Sequence, residues 1–404
     1  MAITEAHSRE PFRLGMLLYD TRYRSITIQI IALIAVLTFF GWIVHNTVAN
    51  LHALGKTFDF GFLGQRAGYD ISQTLIPYTN DSTHGRAALV GILNTLLVAF
   101  LGCVTATIIG VFMGVLRLSS NWLIARLASV YVEMFRNVPV LLWILALMAI
   151  ITDTLPAPSA FRGENASASM LFGDTVALTN RGAYVPWPIF GPGWQVVAGV
   201  FILSLIAILL FRRYAHARQE ATGQALPVFW ISLALFFLPA LAADAVVGAV
   251  TLDVPTLQRF NFEGGGLIDK SLVALWFALA LYTGAFIAEI VRGGIQAISR
   301  GQSEAAGALG LRPNRIMSLV ILPQALRIII PPLISQYLNL TKNSSLAIVV
   351  GYADVRATLG GITMNQTGRE LECMLLMMGF YLLISLAISS LMNWYNSSIA
   401  LKER

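Results

Sequence analysis

Glu304-Ala305-Ala306-Gly307-Ala308-Leu309-Gly310, followed by Val320-Ile321-Leu322-Pro323, decides the reading of this chain. It is a short polar stretch between two long apolar spans, in a loop that carries Arg292, Arg300, Arg312, Arg315 and Arg327. A chain built to sit in lipid has little reason to keep a compact segment outside it unless something soluble docks there. The same residues also suit a structured connector between two spans. The docking reading implies a membrane subunit whose energy source lies on another polypeptide.

The surroundings of that loop are membrane-like. Of 404 residues, 56% are hydrophobic and 12% charged, against about 25% charged in average soluble domains. Mean hydropathy is +0.71, more apolar surface than a soluble core can hide. Apolar runs of the length that crosses a bilayer as a helix, about 18 residues or more, recur along the chain. The short alternating segments of a transmembrane barrel are absent from the sequence. The expected fold is therefore all-α: a polytopic helical membrane protein with about eight spans, near Ser25–Val44, Ala88–Leu116, Val138–Thr154, Trp194–Phe211, Pro227–Val250, Ser271–Val291, Ile328–Gly351 and Cys373–Trp394. The first run is longer than a signal-peptide core and contains Phe39, Phe40 and Trp42, so it reads as a retained helix.

The formal charge of +6 reflects topology rather than nucleic-acid binding. One set of connecting segments holds Arg9, Arg13, Arg22 and Arg24; Arg117, Arg126 and Arg136; Arg212, Arg213 and Arg218; the loop arginines; and Lys402 with Arg404. Positive charge favours the cytoplasmic face, which puts both termini and the Glu304 loop inside. The segment Leu155–Gly193 reads as an ordered external cap. Gly110 and Gly114 form a small-xxx-small pair that permits close helix packing, more simply within one subunit than across a dimer seam. Cys103 and Cys373 both fall in apolar runs, which argues against a disulfide framework and against a zinc site.

Within the loop, Gln302-Ser303 can cap a short helix with Glu304 in its first turn. Gly310 can take the left-handed conformation that stops a helix, and Pro313 suits the start of the next.

The pattern Glu304-Ala305-Ala306, Gly310, Val320, Leu322-Pro323 resembles the signature of permease subunits of ABC importers. Tyr131-Val-Glu-Met-Phe-Arg-Asn-Val-Pro139, Ala288-Glu-Ile-Val-Arg-Gly-Gly-Ile295 and Leu340-Thr-Lys-Asn-Ser-Ser-Leu346 resemble the polar amino-acid branch of that family. Ordinary members lack most of what lies between Ile151 and Gly266, and a chain enlarged in this way looks like the longer permease of general L-amino-acid importers. The resemblance implies an importer permease core of type I and a bacterial inner-membrane location. It implies a second permease subunit, a cytoplasmic ATPase dimer gripping Glu304, Ala305, Ala306, Gly307, Gly310 and Pro313, and a periplasmic solute-binding protein that delivers L-amino acids. The chain would then divide into 1–86, an N-terminal segment with the first helix and a periplasmic loop; 87–150, the first part of the core; 151–266, an insertion; and 267–404, the second part, with its coupling loop at 292–327.

No phosphate-binding loop is present, since Gly55-Lys56-Thr57 is preceded by Asn50 where glycine is needed. ATP and magnesium would accordingly belong to the partner ATPase, with no cofactor in this chain. Candidates for the substrate path are Lys342 with Asn343, Ser344 and Ser345, then Asn94, Thr95 and Glu289. Lys342 could meet a substrate carboxylate or pair with Glu289; Asn94 and Thr95 could line the path or bridge helices. Glu133 with Arg136, and Glu289 with Arg292, stand three apart and can meet on one helical face, as interfacial anchors or as a gate. Asn80-Asp-Ser82 and Asn165-Ala-Ser167 match a glycosylation pattern that has no meaning in a bacterial host. The residues show no metal-ligand spacing and no nucleophile–base pattern. The alternative function is a secondary transporter driven by an ion gradient, which would carry inverted repeats and more mid-membrane charge.

Overall fold

The computed structural model of the chain describes residues 21–53, 58–163, 166–224 and 226–399, with Gly15 and Gly55. Arg9, Arg13, Lys56, Thr57, Asn165, Lys402 and Arg404 lie outside the described residues. The chain divides into two compact units, Met1–Phe62 and Leu63–Arg404. Among the described residues of the first lies one long helix, α1 (Thr21–Ala53), most of whose apolar residues are exposed. Among the described residues, eight helices are long and apolar enough to cross a membrane.

In the second unit, local chemistry sets the helix starts. α2 (His84–Leu116) begins at Thr83, whose hydroxyl accepts from the Arg86 amide at 3.2 Å. α3 (Trp122–Asn137) begins at Asn121, whose side chain accepts from the amides of Leu123 and Ile124. Pro139 then forces Val138 into the extended region and separates α3 from α4 (Val140–Thr154). The span expected from Val138 thus begins two residues later. It follows α3, a 16-residue amphipathic helix that was not among the expected spans.

Between α4 and the next core helix lies a helical hairpin with a strand cap. The cap comprises β1 (Ala177–Thr179), β2 (Gly182–Val185) and β3 (Trp187–Phe190) before the hairpin. After it come β4 (Val250–Asp253), β5 (Thr256–Leu257), β6 (Phe262–Glu263) and β7 (Gly266–Asp269). The ladders are all antiparallel: β1–β2–β7, β3–β4 with Phe190 opposite Val250, and β5–β6. The hairpin itself is α5 (Trp194–Thr222) and α6 (Val228–Val247), with Phe201 against Phe236 at 5.1 Å between ring centroids. α5 runs 11 residues beyond the expected end at Phe211 and carries Arg212, Arg213 and Arg218 on the extension. Its 29 residues measure about 43 Å, well over a hydrocarbon core of about 30 Å.

The core is organised around α7 (Lys270–Gln296), capped by Asp269 accepting from the Ser271 amide at 2.8 Å. α2, α3, α4 and the later helix α10 (Leu322–Asn343) all pack on it. Leu275, Leu279 and Ile287 of α7 form the core with Val98 and Ala106 of α2, Ile144 of α4 and Leu340 of α10. Polar ties pin the register: Trp276 Nε1 donates to Thr105 Oγ1 at 3.0 Å, and Tyr131 Oη donates to the Leu281 carbonyl at 2.7 Å.

After α7 come α8 (Arg300–Ala308), α9 (Pro313–Ile316), a π-helical turn at Met317–Ile321, and α10, which contains Pro331 and Pro332. A 3-10 turn (Ser344–Val350), α11 (Val355–Ala357), a second π-helical turn (Thr358–Thr363) and α12 (Met364–Thr367) lead to α13 (Glu370–Ile399). The expected span Ile328–Gly351 is therefore built from α10 and the 3-10 turn.

Gly110 and Gly114 pack within the chain. A Cβ on Gly110 would lie 2.5 Å from Ile287 Cβ, and one on Gly114 would lie 2.7 Å from the Ala288 carbonyl. Overpacking of this kind costs about 1–3 kcal/mol. Gly110→Ala should lower the detergent-solubilised melting temperature by several degrees. Gly199→Ala, at a site with open space around it, should leave it unchanged in the same thermal-shift measurement.

Candidate functional site

The Glu304 loop forms a short helix that is exposed on most of its surface. α8 starts at Arg300 with Ser299 at its N-cap, so Glu304 sits in its middle. The expected cap at Gln302-Ser303, with Glu304 in the first turn, is corrected: the backbone turns helical three residues earlier, and Ser299 makes no side-chain cap bond. The C-terminal end is as expected. Gly310 has φ +77°, its amide donates to the Gly307 carbonyl at 2.9 Å, and the Leu311 amide donates to the Ala306 carbonyl at 3.3 Å. These two bonds make a complete Schellman stop. Pro313 opens α9 directly after the Arg312 cap.

Ala306 is buried, while Glu304, Ala305, Gly307 and Ala308 are exposed. Leu309 is 82% exposed, an apolar side chain at the tip of a polar loop. Gln324 of α10 ties the lever down, donating to Gln302 Oε1 at 3.4 Å and to the Val320 carbonyl at 3.0 Å. Neither Leu309 nor Gln324 stood out in sequence, because their roles depend on which face of α8 turns outward.

Near the same end of the core lies a cluster of charge. Glu289 of α7 accepts from Arg117, which follows α2, and from Arg292 one turn along α7. Arg136 of α3 approaches the same carboxylate at 3.6 Å and lies over the Phe286 ring at 5.2 Å. The Glu289–Arg292 pair is present. Arg136 leans to Glu289 rather than to Glu133, because α3 packs on α7 and turns that face inward. The Arg117 side chain is only 12% exposed. Three guanidiniums against one carboxylate leave local positive charge, and among the described residues the buried Arg292 Nε meets no acceptor. Sequence spacing could not join residues of three helices.

Lys342 is exposed at the end of α10, and among the described residues no carboxylate pairs with it. The suggested Lys342–Glu289 pairing is replaced by the arginines. Beside it, half-buried Asn343 leads into a turn whose hydroxyls bond their own backbone: Ser344 Oγ to the Thr341 carbonyl and Ser345 Oγ to the Lys342 carbonyl, both at 2.7 Å.

Asn94 and Thr95 are fully buried at the opposite end of the core, the end that carries the strands. Asn94 Nδ2 donates to the carbonyls of Gln73 and Ala353, and Thr95 Oγ1 accepts from the Val355 amide at 3.0 Å. They clamp the 351–358 turn onto α2.

Comparison with known proteins gives the context for this geometry. A family model described as binding-protein-dependent transport system inner membrane component matches residues 221–400. The chain is 57% identical to the glutamate/glutamine/aspartate/asparagine transport system permease protein of Rhodobacter capsulatus, over all of both chains. It is 48% identical to a general L-amino acid transport system permease protein of Rhizobium johnstonii, covering 97% of this chain and 96% of that one. A putative amino-acid ABC transporter permease protein of Escherichia coli is 43% identical over 99% of this chain and all of its own. The alignments run end to end, so these relatives match the 151–266 region as well as the core. This chain belongs to the family of multi-pass inner-membrane permeases of amino-acid ABC transporters.

Proposed function

We propose that the chain forms one half of an L-amino-acid translocation path, with a second, different permease as the other half, and that a cytoplasmic ATPase dimer drives it through α8. The observation that carries this reading is the exposed face of α8, stopped by a Schellman turn and tied to α10 through Gln302 and Gln324. The Schellman turn fixes where the helix ends, and the Gln302–Gln324 bond gives a push on it a route to α10. Ala305, Gly307 and Ala308 let a groove close on the backbone, Leu309 supplies an apolar anchor, and Glu304 with the arginines makes the rim. ATP and magnesium stay on the partner, this chain contributes no nucleotide site, and a periplasmic solute-binding protein delivers substrate. Both termini and α8 face the cytoplasm, in keeping with the excess of arginine on those segments.

Substrate chemistry fits the Glu289 cluster. A zwitterion carries one carboxylate and one ammonium. Its carboxylate can take a guanidinium of Arg117, Arg136 or Arg292 while Glu289 receives the ammonium. These pairs are partly buried, with the Arg117 side chain 12% exposed, so an entering carboxylate must replace the partner that a guanidinium gives up. The surplus positive charge favours amino acids with acidic side chains. Lys342 is a second point of contact, and relief of a mid-membrane lysine by a carboxylate is favourable.

Two predictions test the two ends of this proposal. Gly310→Pro fixes φ near about −65° where the chain needs +77°, and Glu304→Lys reverses the rim charge. In each variant the assembled transporter should keep its membrane insertion and ATP hydrolysis but lose coupled uptake by about tenfold or more, a loss of about 1.4 kcal/mol in coupling. Wild-type uptake in both, measured in proteoliposomes with the binding protein present, removes α8 from the drive. Glu289→Gln should raise the KM for uptake, and Lys342→Ala should lower uptake of acidic substrates more than of neutral ones. Unchanged KM and unchanged substrate preference across several amino acids would take both residues out of the path.

A further inference from the structure

We infer that Asp354 is a proton-binding site that sets how firmly the segment between Gly351 and Gly368 is latched onto α2. The segment has the build of a two-state element. Both bracketing glycines are left-handed, at φ +74° and +62°. Between them lie two very short helices and a π-helical turn, the kind of irregular backbone found at functional positions. Its hold on α2 is specific: the Asn94 and Thr95 bonds to Ala353 and Val355, the His84–Thr363 contact at 3.0 Å, and Gly91, whose lack of a side chain makes room for Asp354 and Thr358. Beside it a cavity of about 570 Å³ opens between Asp70 and Ser72 on one wall and Ala353, Ala357 and Asn365 on the other.

Asp354 lies at the centre of this latch with no solvent exposure. Its Oδ1 accepts from the Ala357 amide at 2.8 Å, while among the described residues Oδ2 meets no donor. The charged and titratable groups around it are Arg356 on its own turn, Tyr352 just before it, Tyr381 on α13, the pair between Arg369, which precedes α13, and Glu372 on it, and His84 on α2, whose ring bonds Thr363. Burial outweighs Arg356 and the amide bonds and pushes the carboxyl up to about 6. A raised value in the latched state means that latching gains strength from protonation. That gain is complete below the solvated value of 3.8 and is lost as pH rises through about 6. At pH 5 the latched form should be favoured about tenfold over its level at pH 7.5, one unit being tenfold.

The test uses the assembled transporter in nanodiscs, with spin labels at Ser72→Cys and Asn365→Cys and distances measured between about pH 4.5 and 7.5. The expected result is a short distance at low pH that gives way to a longer one, with Asp354→Asn holding the short distance throughout. A distribution that does not move with pH in the wild type, or that moves equally in Asp354→Asn, overturns the inference. If Asp354→Asn fails to assemble, Thr95→Val, which removes the acceptor for Val355, should lengthen the distance at every pH; no lengthening also overturns it.

Discussion

The close approach of α2 to α7 at Gly110, Gly114 and Gly284 is the contact on which the rest of this structure depends. In lipid there is no hydrophobic drive between helices, so association rests on fit and on a few polar bonds. The glycines bring α2 against Ile287, Ala288 and Val291, and Thr105–Trp276 fixes the register. With these two helices locked side by side, both ends of the core are defined. At one end Asn94 and Thr95 reach the 351–358 turn. At the other, Arg117 reaches Glu289.

The two ends carry opposite kinds of polarity. The strand end is a largely buried network in which carboxyls such as Asp269 and Asp354 accept from the protein's own backbone amides. The arginine end is a partly exposed ion cluster assembled from three elements. The second is only partly sealed from water, with the Glu289 side chain 31% exposed. Between them α10 carries Pro331 and Pro332 in its interior, where a proline deletes a backbone bond and loosens the helix.

Much of this was legible in the sequence, and for clear reasons. Long apolar runs give spans whatever the tertiary detail. Gly310 and Pro313 read correctly because a left-handed stop and a helix start are local events. The Glu-Ala-Ala signature, with three further motifs, pointed to the family to which the relatives also assign the chain, and membership in it decides against the ion-gradient alternative. The misreadings share a cause. Glu304 was set one turn too early in its helix, since Ser303 is as good a cap by type as Ser299. Arg136 was paired with Glu133 by spacing, although packing of α3 on α7 turns it to Glu289. The strand cap beyond Leu155 escaped detailed reading because its ladders join β2 to β7 across the 80 residues of chain between them. Asp354 gave no signal at all, for burial of a lone aspartate cannot be read from its neighbours in sequence.

The central claim is that a motor on another polypeptide grips the exposed face of α8. The most direct measurement is thiol-reagent accessibility of single cysteines placed along residues 300–311, with and without the ATPase bound. The account predicts protection at Glu304, Ala305, Ala308 and Leu309 when the ATPase is present, and no change at Ala306, which is already covered by the chain itself. Equal labelling of the exposed positions in the two states would contradict it.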